Sequence, residues 1–386
     1  MKNVTRRDFV KSTFAAGCAA VLPGCAAVLP YSRVQGANDR IRVGLVGCGG
    51  RGKGAHIPSF EKQEGVTVVA LSDPDRQRMA EAAKMVESKY GHRVEQYVDM
   101  RKMFDRKDVD VIANATQNYW HGLSTIWACQ AGKHVYVEKP LSHYIWEGRQ
   151  MVNAARKYNR IVQCGTQRRS QSSIAKAIQW IREGNLGRLR YITAFANKPR
   201  FPTAPLLYEV HNLRKARDSD EMPAFRGEGV GVIVDCEGGS VSLYRGMAWD
   251  NEGKQVKTFS GGGDHFVNFI EAVRSGRRED LNADVLEGHI STAVSHTGNI
   301  SYRLGVKASR KEMHARVRDI PIFTDMFDRL LEHLAAHEIN IDARTVTLGP
   351  WLKIDRENEC FRNNEQANRL VRGFYREPYV VPDLSG

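Results

Sequence analysis

Three glycines near the start of the chain have the spacing of a phosphate-binding turn. Gly47, Gly49 and Gly52 form the pattern G-x-G-x-x-G, and the apolar run Ile41–Val46, typical of a buried strand, comes directly before them. In such a turn the first glycine permits the sharp bend, the second lets the backbone approach a pyrophosphate, and the third lets a helix pack against the strand. The N–H groups at the start of that helix face the phosphates. The pattern therefore predicts a dinucleotide site.

An acidic residue follows at the position where such a site needs one. Asp73 follows the second predicted strand, Val66–Leu71, after a single serine. A carboxylate there can accept a hydrogen bond from the adenosine ribose 2′-hydroxyl and repels a 2′-phosphate, so we expect NAD rather than NADP. Aspartate before proline also suits the start of a helix, so Asp73 could instead cap the helix predicted over 75–90.

The elements that must position these residues alternate along the first part of the chain. After the first two strands, we predict strands at Val109–Asn114, His134–Val137 and Ile161–Cys164, and helices at 75–90, 122–131 and 144–157. This alternation predicts an α/β fold with a doubly wound parallel sheet of the Rossmann type. Polar residues that follow the strands, notably Thr116–His121 and Glu138–Pro140, would then lie at the carboxyl edge of the sheet, where ligands bind.

The second part of the chain is predicted to be an α+β domain followed by a tail. Strands are predicted at Leu189–Ala196, Leu206–Val210, Val230–Cys236 and Ser240–Tyr244, and helices at about 264–275, 284–303 and 321–337. Gly238-Gly239 predicts a hairpin turn. The tail, 340–386, is rich in aromatic residues, which favours a docked arm or subunit contact over disorder.

We expect four regions along the chain. They are a twin-arginine signal peptide at 1–37, an NAD-binding Rossmann domain at 38–165, a substrate or oligomerisation domain at 166–320, and a C-terminal helix with a docked tail at 321–386.

The first 37 residues have the features of an export signal. Thr5–Lys11 contains a twin-arginine pair, and the apolar run 12–30 is broken by glycine and proline, which fits a signal peptide better than a membrane span. We therefore expect passage through the twin-arginine export machinery and a periplasmic or other extracytoplasmic location. Leu22–Cys25 is a loose lipobox, so a lipid anchor at Cys25 and cleavage near Gly36-Ala37 both stay open. No later stretch is apolar enough to predict a membrane span.

Charge and cysteine content exclude several classes of function. The formal net charge is +13, but the basic residues are spread without a long block or a nucleic-acid motif. This predicts no nucleic-acid binding and a surface that favours acidic ligands. The 7 cysteines include no C-x-x-C pair and no His/Cys cluster with metal spacing, so we predict neither a metal site nor a disulfide scaffold.

Three strings together resemble the Gfo/Idh/MocA family, which includes glucose–fructose oxidoreductase and inositol dehydrogenase. They are VGLVGCGGRG, ATQNYWH and HVYVEKPLS, and the similarity covers about 40–196 and resumes over 229–305. The resemblance implies an NAD(P)-dependent oxidoreductase that acts on CH–OH groups. The leader and the long tail are similar to an exported branch of the family.

The resemblance also implies roles for individual residues. The cofactor would be held by Gly47, Gly49, Gly50, Arg51, Gly52, Asp73, Thr116, Asn118 and Glu138. The catalytic residues would be Lys139, Glu138 and His121. Glu138 and Lys139 would lie beside the reacting carbon and His121 on the nicotinamide side, and Lys139 would polarise or protonate the substrate oxygen, as a desolvated lysine can. Lys139 could otherwise be an ordinary surface lysine, and His121 could instead pack or cap a helix. Gln167 and Arg168 could contact the substrate, although a solvated basic turn would look the same.

One motif of the family is missing. Its second domain is an open antiparallel sheet and carries an Asp-x-x-x-His motif that relays a proton. The chain lacks the long insertion in which relatives carry this motif, and we do not find the motif between Arg200 and Gly261. We therefore expect a reduced, mainly antiparallel sheet.

His265 follows a glycine run that looks similar, but its context matches a later helix of the family, so no catalytic role is assigned to it. His289 and His296 share a helix face and are predicted to pack or cap. Relatives are often dimers or tetramers, which makes a homo-oligomer an open expectation.

Export restricts the chemistry, because NAD is a cytoplasmic metabolite. An exported enzyme would have to fold around its cofactor, keep it, and restore it in each cycle. This favours an NAD-dependent oxidoreductase acting on a secondary alcohol of a sugar, polyol or glycan. One alternative is an NAD-dependent glycosidase, which needs no pair of carboxylates. The other is an inactive module that binds NAD or a sugar, which the missing proton relay would explain.

Overall fold

Six short strands form the first sheet of the computed structural model, which describes residues 40–196, 224–340, 342 and 346–385. The strands are β1 (Ile41–Val46), β2 (Val66–Ser72), β3 (Glu95–Tyr97), β4 (Val111–Asn114), β5 (His134–Val137) and β6 (Val162–Cys164). They lie in the order β3-β2-β1-β4-β5-β6, and all pairs are parallel. The strand order reverses between β1 and β4, which opens a crevice at the carboxyl ends of the strands. The predicted doubly wound sheet is confirmed.

Helices cover both faces of this sheet. They are α1 (Ile57–Glu61), α2 (Arg76–Tyr90), α3 (Met100–Phe104), α4 (Asn118–Gln130) and α5 (Ile145–Lys157). The next helix, α6 (Ser172–Arg182), instead packs through Ala177 in the cluster of Val234 and Val241, which belong to the second sheet. A π-helical turn, Gly52–His56, precedes α1. Side chains along each strand alternate between two apolar clusters, as the period of a strand requires. Thus Val111 and Ala113 pack in the cluster that contains Phe60, whereas Ile112 packs in the cluster that contains Ile126.

The second sheet is antiparallel throughout. Its strands are β7 (Leu189–Ala196), β8 (Val230–Cys236), β9 (Gly239–Ser242), β10 (Met247–Asp250) and β11 (Gln255–Thr258), in the order β11-β10-β9-β8-β7. The bounds of β7 and β8 are those predicted, β9 begins one residue earlier than predicted, and β10 and β11 were not predicted. The predicted strand Leu206–Val210 lies outside the described residues, as does the whole export signal.

The remaining elements are helical with short strand pairs. The helices are α7 (His265–Ser275), α8 (Val285–Arg303), α9 (Arg310–Val317), α10 (Pro321–Ala335) and α11 (Glu365–Arg369), and the pairs are β12 (Val306–Ala308) with β13 (Val346–Leu348) and β14 (Ile354–Asp355) with β15 (Cys360–Phe361). Helix α8 packs on the first sheet so closely that a Cβ at Gly288 would lie 2.5 Å from Cys164 Cβ. The described residues from 41 onward belong to one compact unit.

The last described residues, 372–385, form a C-terminal arm that lies against α5. The hydroxyl of Tyr375 donates to Glu147 Oε1 at 2.9 Å, and the backbone N–H of Leu384 donates to Gln150 Oε1 at 2.6 Å. Val381 is buried in the apolar cluster of α4 and α5. The tail therefore docks on the first domain, while the bounds of the four predicted regions stay predictions.

Within the described part of the chain, no helix is both long and apolar enough to cross a membrane. The five described cysteines carry free thiols. No cluster of metal-ligating side chains occurs among these residues.

Candidate functional site

The glycine turn after β1 has the shape that a pyrophosphate needs. Gly47 has φ +93°, and a Cβ there would lie 2.7 Å from the carbonyl of Ala115, so only glycine fits. A Cβ at Gly52 would lie 2.0 Å from Gly47 O, which shows how closely the helical turn approaches the strand. In contrast, a Cβ at Gly49 or Gly50 would meet nothing within 4 Å. The backbone is thus open to a ligand at the two central glycines and closed at the two outer ones.

Asp73 supports this turn from the end of β2. One carboxylate oxygen accepts the N–H of Cys48 at 2.7 Å, and the other accepts the N–H of Asp75 at 2.9 Å. Helix α2 is capped by Asp75, whose side chain accepts the N–H groups of Gln77 and Arg78, so the alternative in which Asp73 is the cap is wrong. Burial raises the pKa of the Cys48 thiol to about 12, and this thiol therefore stays protonated.

A cavity of about 590 Å³ extends outward from the glycine turn. Its inner wall includes Gly47, Gly49 and Asp73, and its outer wall includes Trp127 and Tyr379. Four charged side chains in its wall form two ion pairs, Arg78 with Asp75 at 3.2 Å and Arg101 with Asp99 at 2.6 Å. The cavity therefore combines carboxylates, guanidinium groups and aromatic faces, a composition that suits a nucleoside.

A second cavity, of about 400 Å³, lies on the other side of the turn. It is lined by Arg51, Ala115, Thr116, Glu138, Lys139 and Gln167. Ala115 and Thr116 belong to the walls of both cavities, so a ligand as long as a dinucleotide can extend from one cavity into the other past these residues. The second cavity brings together most of the residues that the sequence predicts for the nicotinamide and the substrate.

Glu138 is a buried carboxylate that is held by three N–H donors. Its Oε1 accepts from Arg51 Nε at 2.6 Å and lies 3.1 Å from His56 Nε2, and its Oε2 accepts the backbone N–H of Lys139 at 3.3 Å. Burial by itself would raise the pKa of Glu138, but the hydrogen bond from His56 and the charge of Arg51 outweigh burial and lower this pKa to about 2. Glu138 is therefore ionised at neutral pH.

His56 was missed by the sequence reasoning. Its ring is fully buried in edge contact with Phe60, Tyr136 and Phe266. Burial lowers the pKa of His56, so the neutral ring donates its Nε2 hydrogen to Glu138. In the sequence, His56 is marked only by its place at the end of the helical turn that follows the glycines. No general rule links that position to a functional role.

Lys139 lies at the mouth of the second cavity, and its peptide bond to Pro140 is cis. Its side chain is exposed, which differs from the expected desolvated lysine. The Lys139 ammonium makes no hydrogen bond or ion pair with the described residues.

His121 and Asn118 do not reach the walls of either cavity. The buried ring of His121 has Nδ1 2.7 Å from the carbonyl oxygen of Pro140 and Nε2 3.0 Å from that of Thr116. Burial lowers the pKa of His121. The geometry matches the packing interpretation, since His121 joins the two loops that line the second cavity. A buried residue that the sequence did not single out, Asn114, accepts the Thr116 hydroxyl at 2.8 Å and fixes its direction.

Gln167 and Arg168, predicted together as substrate residues, separate in the structure. Gln167 lines the second cavity. Arg168 turns away from it, because its guanidinium lies 4.2 Å from the ring centroid of Tyr244 and donates to Gln171. The sequence pattern could not distinguish the two side chains, since adjacent residues of a 3₁₀ turn point in different directions.

The three other histidines that the sequence analysis discussed each contact a partner in another part of the fold. His265 Nδ1 lies 2.5 Å from the Tyr136 hydroxyl, and burial lowers the pKa of this histidine to about 4. His289 Nε2 lies 2.6 Å from Glu359 Oε1, and His296 Nε2 lies 3.0 Å from the carbonyl oxygen of Ser142. These contacts join α7 and α8 to neighbouring elements and place none of the three rings in the wall of the second cavity.

The first domain matches a known family of proteins. The model of an oxidoreductase family with an NAD-binding Rossmann fold, Gfo/Idh/MocA, matches residues 41–166. A glycosyl hydrolase family 109 protein of Shewanella sp. (strain ANA-3) is 31% identical over 173 residues, which cover 40% of this chain and 38% of the relative. An inositol 2-dehydrogenase of Saccharopolyspora erythraea is 33% identical over 153 residues, which cover 39% of this chain and 44% of the relative. The chain thus spans about two fifths of the length of these curated relatives.

Solved structures share the fold over a longer part of the chain. KijD10, a 3-ketoreductase from Actinomadura kijaniata solved in complex with TDP-benzene and NADP, has a TM-score of 0.51 and 18% identity, and the match covers 67% of this chain and 98% of that one. An aldose-aldose oxidoreductase from Caulobacter crescentus has a TM-score of 0.50 and 17% identity, covering 68% and 98%. At such identities the likeness concerns the fold alone.

Proposed function

Because residues 41–166 belong to the Gfo/Idh/MocA family of oxidoreductases with an NAD-binding Rossmann fold, we propose that this protein is an exported NAD-dependent oxidoreductase. Its substrate is a secondary alcohol of a sugar, polyol or glycan. The observation that carries the proposal is the pair of neighbouring cavities that share Ala115 and Thr116 in their walls, with an open glycine turn in one and Lys139 at the mouth of the other.

The described residues fit a dinucleotide along this path. The backbone at Gly49 and Gly50 would face the pyrophosphate, and Asp73 would lie beside the adenosine ribose. The choice of NAD over NADP rests on Asp73, because a buried carboxylate next to the ribose disfavours a 2′-phosphate. When bound, the nicotinamide supplies a hydride acceptor for the C–H bond of the alcohol.

The chain's own residues would handle the proton of that alcohol. Lys139 lies at the mouth of the second cavity, where its side chain can hydrogen-bond the substrate oxygen. When a ketone is reduced the ammonium would donate a proton to that oxygen, and when the alcohol is oxidised the neutral amine would take up the hydroxyl proton. Glu138 is a poor base, since its pKa is lowered to about 2 and its Oε1 faces Arg51 and His56. It acts instead as a positioning residue that fixes the backbone N–H of Lys139.

Retention of the cofactor follows from the proposed location. The twin-arginine motif at Arg6-Arg7 supports export of a protein that is already folded. Outside the cytoplasm no pool of NAD is at hand, so each reaction cycle has to restore the cofactor. Transfer of a hydride between two sugars or epimerisation through a ketone meets this condition.

A second candidate function is an NAD-dependent glycosidase. It is favoured by one observation, the similarity to proteins named glycosyl hydrolase family 109. In this reaction oxidation of a ring hydroxyl acidifies the neighbouring C–H bond, the glycosidic group leaves, water adds, and the hydride returns. The cofactor is again restored, and no pair of carboxylates is needed.

Protein recovered from the export compartment tests both candidates. Denaturation should release about one dinucleotide per chain, with NAD in excess over NADP. A panel of sugars and polyols should change the absorbance of bound NADH, and nitrophenyl glycosides should release nitrophenol only if the glycosidase candidate is correct. The matched variant Lys139→Met should keep the dinucleotide and lose turnover. Protein without any adenine nucleotide, and indifferent to added NAD, would refute the proposal.

A further inference from the structure

We propose that Tyr379 of the C-terminal arm closes the adenosine end of the dinucleotide cavity and slows release of the cofactor. This inference rests on the proposed function, because it assumes that a dinucleotide occupies the two neighbouring cavities. It assigns a binding role to a segment far from the Rossmann motif in sequence. Tyr379 lines the same cavity as Asp73 and the glycine turn.

Tyr379 is part of an aromatic wall. Its ring centroid lies 5.4 Å from that of Trp120 and 6.3 Å from that of Trp127. The guanidinium of Arg101 lies 5.7 Å from the Trp127 ring and 5.8 Å from the Tyr379 ring. Aromatic faces and a planar cation are the groups on which purine bases stack.

Arg101 is held in this wall by its own ion pair. Two of its nitrogens donate to the carboxylate of Asp99, which also caps α3 by accepting the backbone N–H of Arg101. The guanidinium is therefore fixed at the start of a helix and is not free to follow a ligand into solvent. The wall is preorganised on the side of the Rossmann domain.

The arm is fixed on both sides of Tyr379. Before it, Tyr375 donates to the buried carboxylate of Glu147, and after it, Val381 is buried and Leu384 is bonded to Gln150. A side chain that is ordered before the ligand binds loses little entropy on binding, so its contact contributes more to affinity. A base lying against Tyr379 would have to give up its contact with this fixed ring in order to leave the cavity.

The experiment measures release of the dinucleotide rather than turnover. Purified full-length protein is loaded with NADH, mixed with excess NAD, and the loss of bound NADH fluorescence gives the dissociation rate. Affinities for ADP-ribose and for nicotinamide mononucleotide are measured in parallel. The variants are Tyr379→Ala, Tyr379→Leu, which keeps apolar packing, and Tyr379→Phe, which keeps the aromatic face. Phe374→Ala is the matched control, because Phe374 lies in the arm, is fully exposed and does not line the adenosine cavity.

Tyr379→Ala should raise the dissociation rate at least about tenfold, a change that corresponds to about 1.4 kcal/mol. It should lower the affinity for ADP-ribose by a similar factor and leave the affinity for nicotinamide mononucleotide unchanged. Tyr379→Leu should also release NADH faster, whereas Tyr379→Phe and Phe374→Ala should stay within about twofold of the wild type. Melting temperatures without nucleotide show whether each variant is folded.

Three results would overturn the inference. The first is a wild-type dissociation rate in both the Ala and Leu variants. The second is an equal loss of affinity for nicotinamide mononucleotide, which would place the effect outside the adenosine end. The third is a wild-type protein that binds neither NADH nor ADP-ribose, and this result alone would refute the proposed function as well.

Discussion

Glu138→Gln tests whether the buried carboxylate beneath the second cavity stabilises the fold through its charge. The substitution keeps the size of the side chain and leaves one oxygen to accept a hydrogen bond. It removes the negative charge that faces Arg51 Nε at 2.6 Å and His56 Nε2 at 3.1 Å. The variant should therefore unfold more easily at neutral pH.

The expected loss of stability follows from the pKa of Glu138. A fall from the ordinary value of 4.5 to about 2 in the folded protein corresponds to about 3 kcal/mol of unfolding free energy at neutral pH. The value of about 2 includes attraction by a charged His56, whereas burial keeps this ring neutral, and 41% of the Arg51 side chain is exposed to solvent screening. Both effects reduce the expected loss to about 2 kcal/mol. The folded-state pKa is lowered, so this stabilisation is complete above pH 4.5 and is lost as the pH falls towards 2.

Urea unfolding at pH 7, 5, 4 and 3 measures this effect. The wild type should exceed the variant by about 2 kcal/mol at pH 7, and the difference should shrink at pH 4 and 3 because glutamine does not titrate. The control is Glu81→Gln, which changes an exposed carboxylate paired with Lys53 and should leave the unfolding curve unchanged. A difference between wild type and Glu138→Gln that is the same at pH 7 and pH 3 would refute the electrostatic explanation.

The other predictions concern the glycine turn after β1, the carboxylate of Asp73 and the C-terminal arm. Gly49→Val should keep the melting temperature of the wild type, because a Cβ there meets nothing within 4 Å. It should lower the affinity for NAD at least about tenfold in titration calorimetry. Asp73→Asn should move the ratio of NADP to NAD affinity towards NADP by about tenfold, since one charge no longer repels the 2′-phosphate; an unchanged ratio would contradict the assigned position. Tyr375→Phe should lower the unfolding free energy by about 2 kcal/mol, because Glu147 loses its hydroxyl donor, and urea unfolding would detect this loss.

Local patterns explain which elements the sequence predicts. Strands β1, β4 and β5 are runs of apolar residues in the middle of the sheet, where both faces are buried, and such runs are visible without any tertiary information. Strands β3 and β11 were not predicted. They lie at sheet edges, and their side chains are mostly exposed and polar, so neither alternation nor an apolar run marks them.

The same distinction applies to the site. The turn at Gly47–Gly52 and Asp73 follow from spacing along the chain, because the crossover from β1 to β2 fixes their separation. His56 could not be found this way, since its role depends on a contact with Glu138 across the sheet. Tyr379 reaches the cavity from the end of the chain, and nothing near it in the sequence indicates a ligand. Contacts between distant segments are the part of a site that only the fold supplies.

The geometry at Glu138 and Lys139 separates two roles that the sequence motif combines. Both oxygens of Glu138 are engaged, one by Arg51 and His56 and the other by the backbone of Lys139. A carboxylate in that position cannot take up a substrate proton without giving up the contacts that orient its neighbour. The exposed side-chain nitrogen of Lys139 makes no hydrogen bond or ion pair with the described residues. It can therefore exchange a proton while the backbone of Lys139 stays fixed by Glu138. Substitution of Glu138 should therefore affect stability first, and substitution of Lys139 should affect turnover alone.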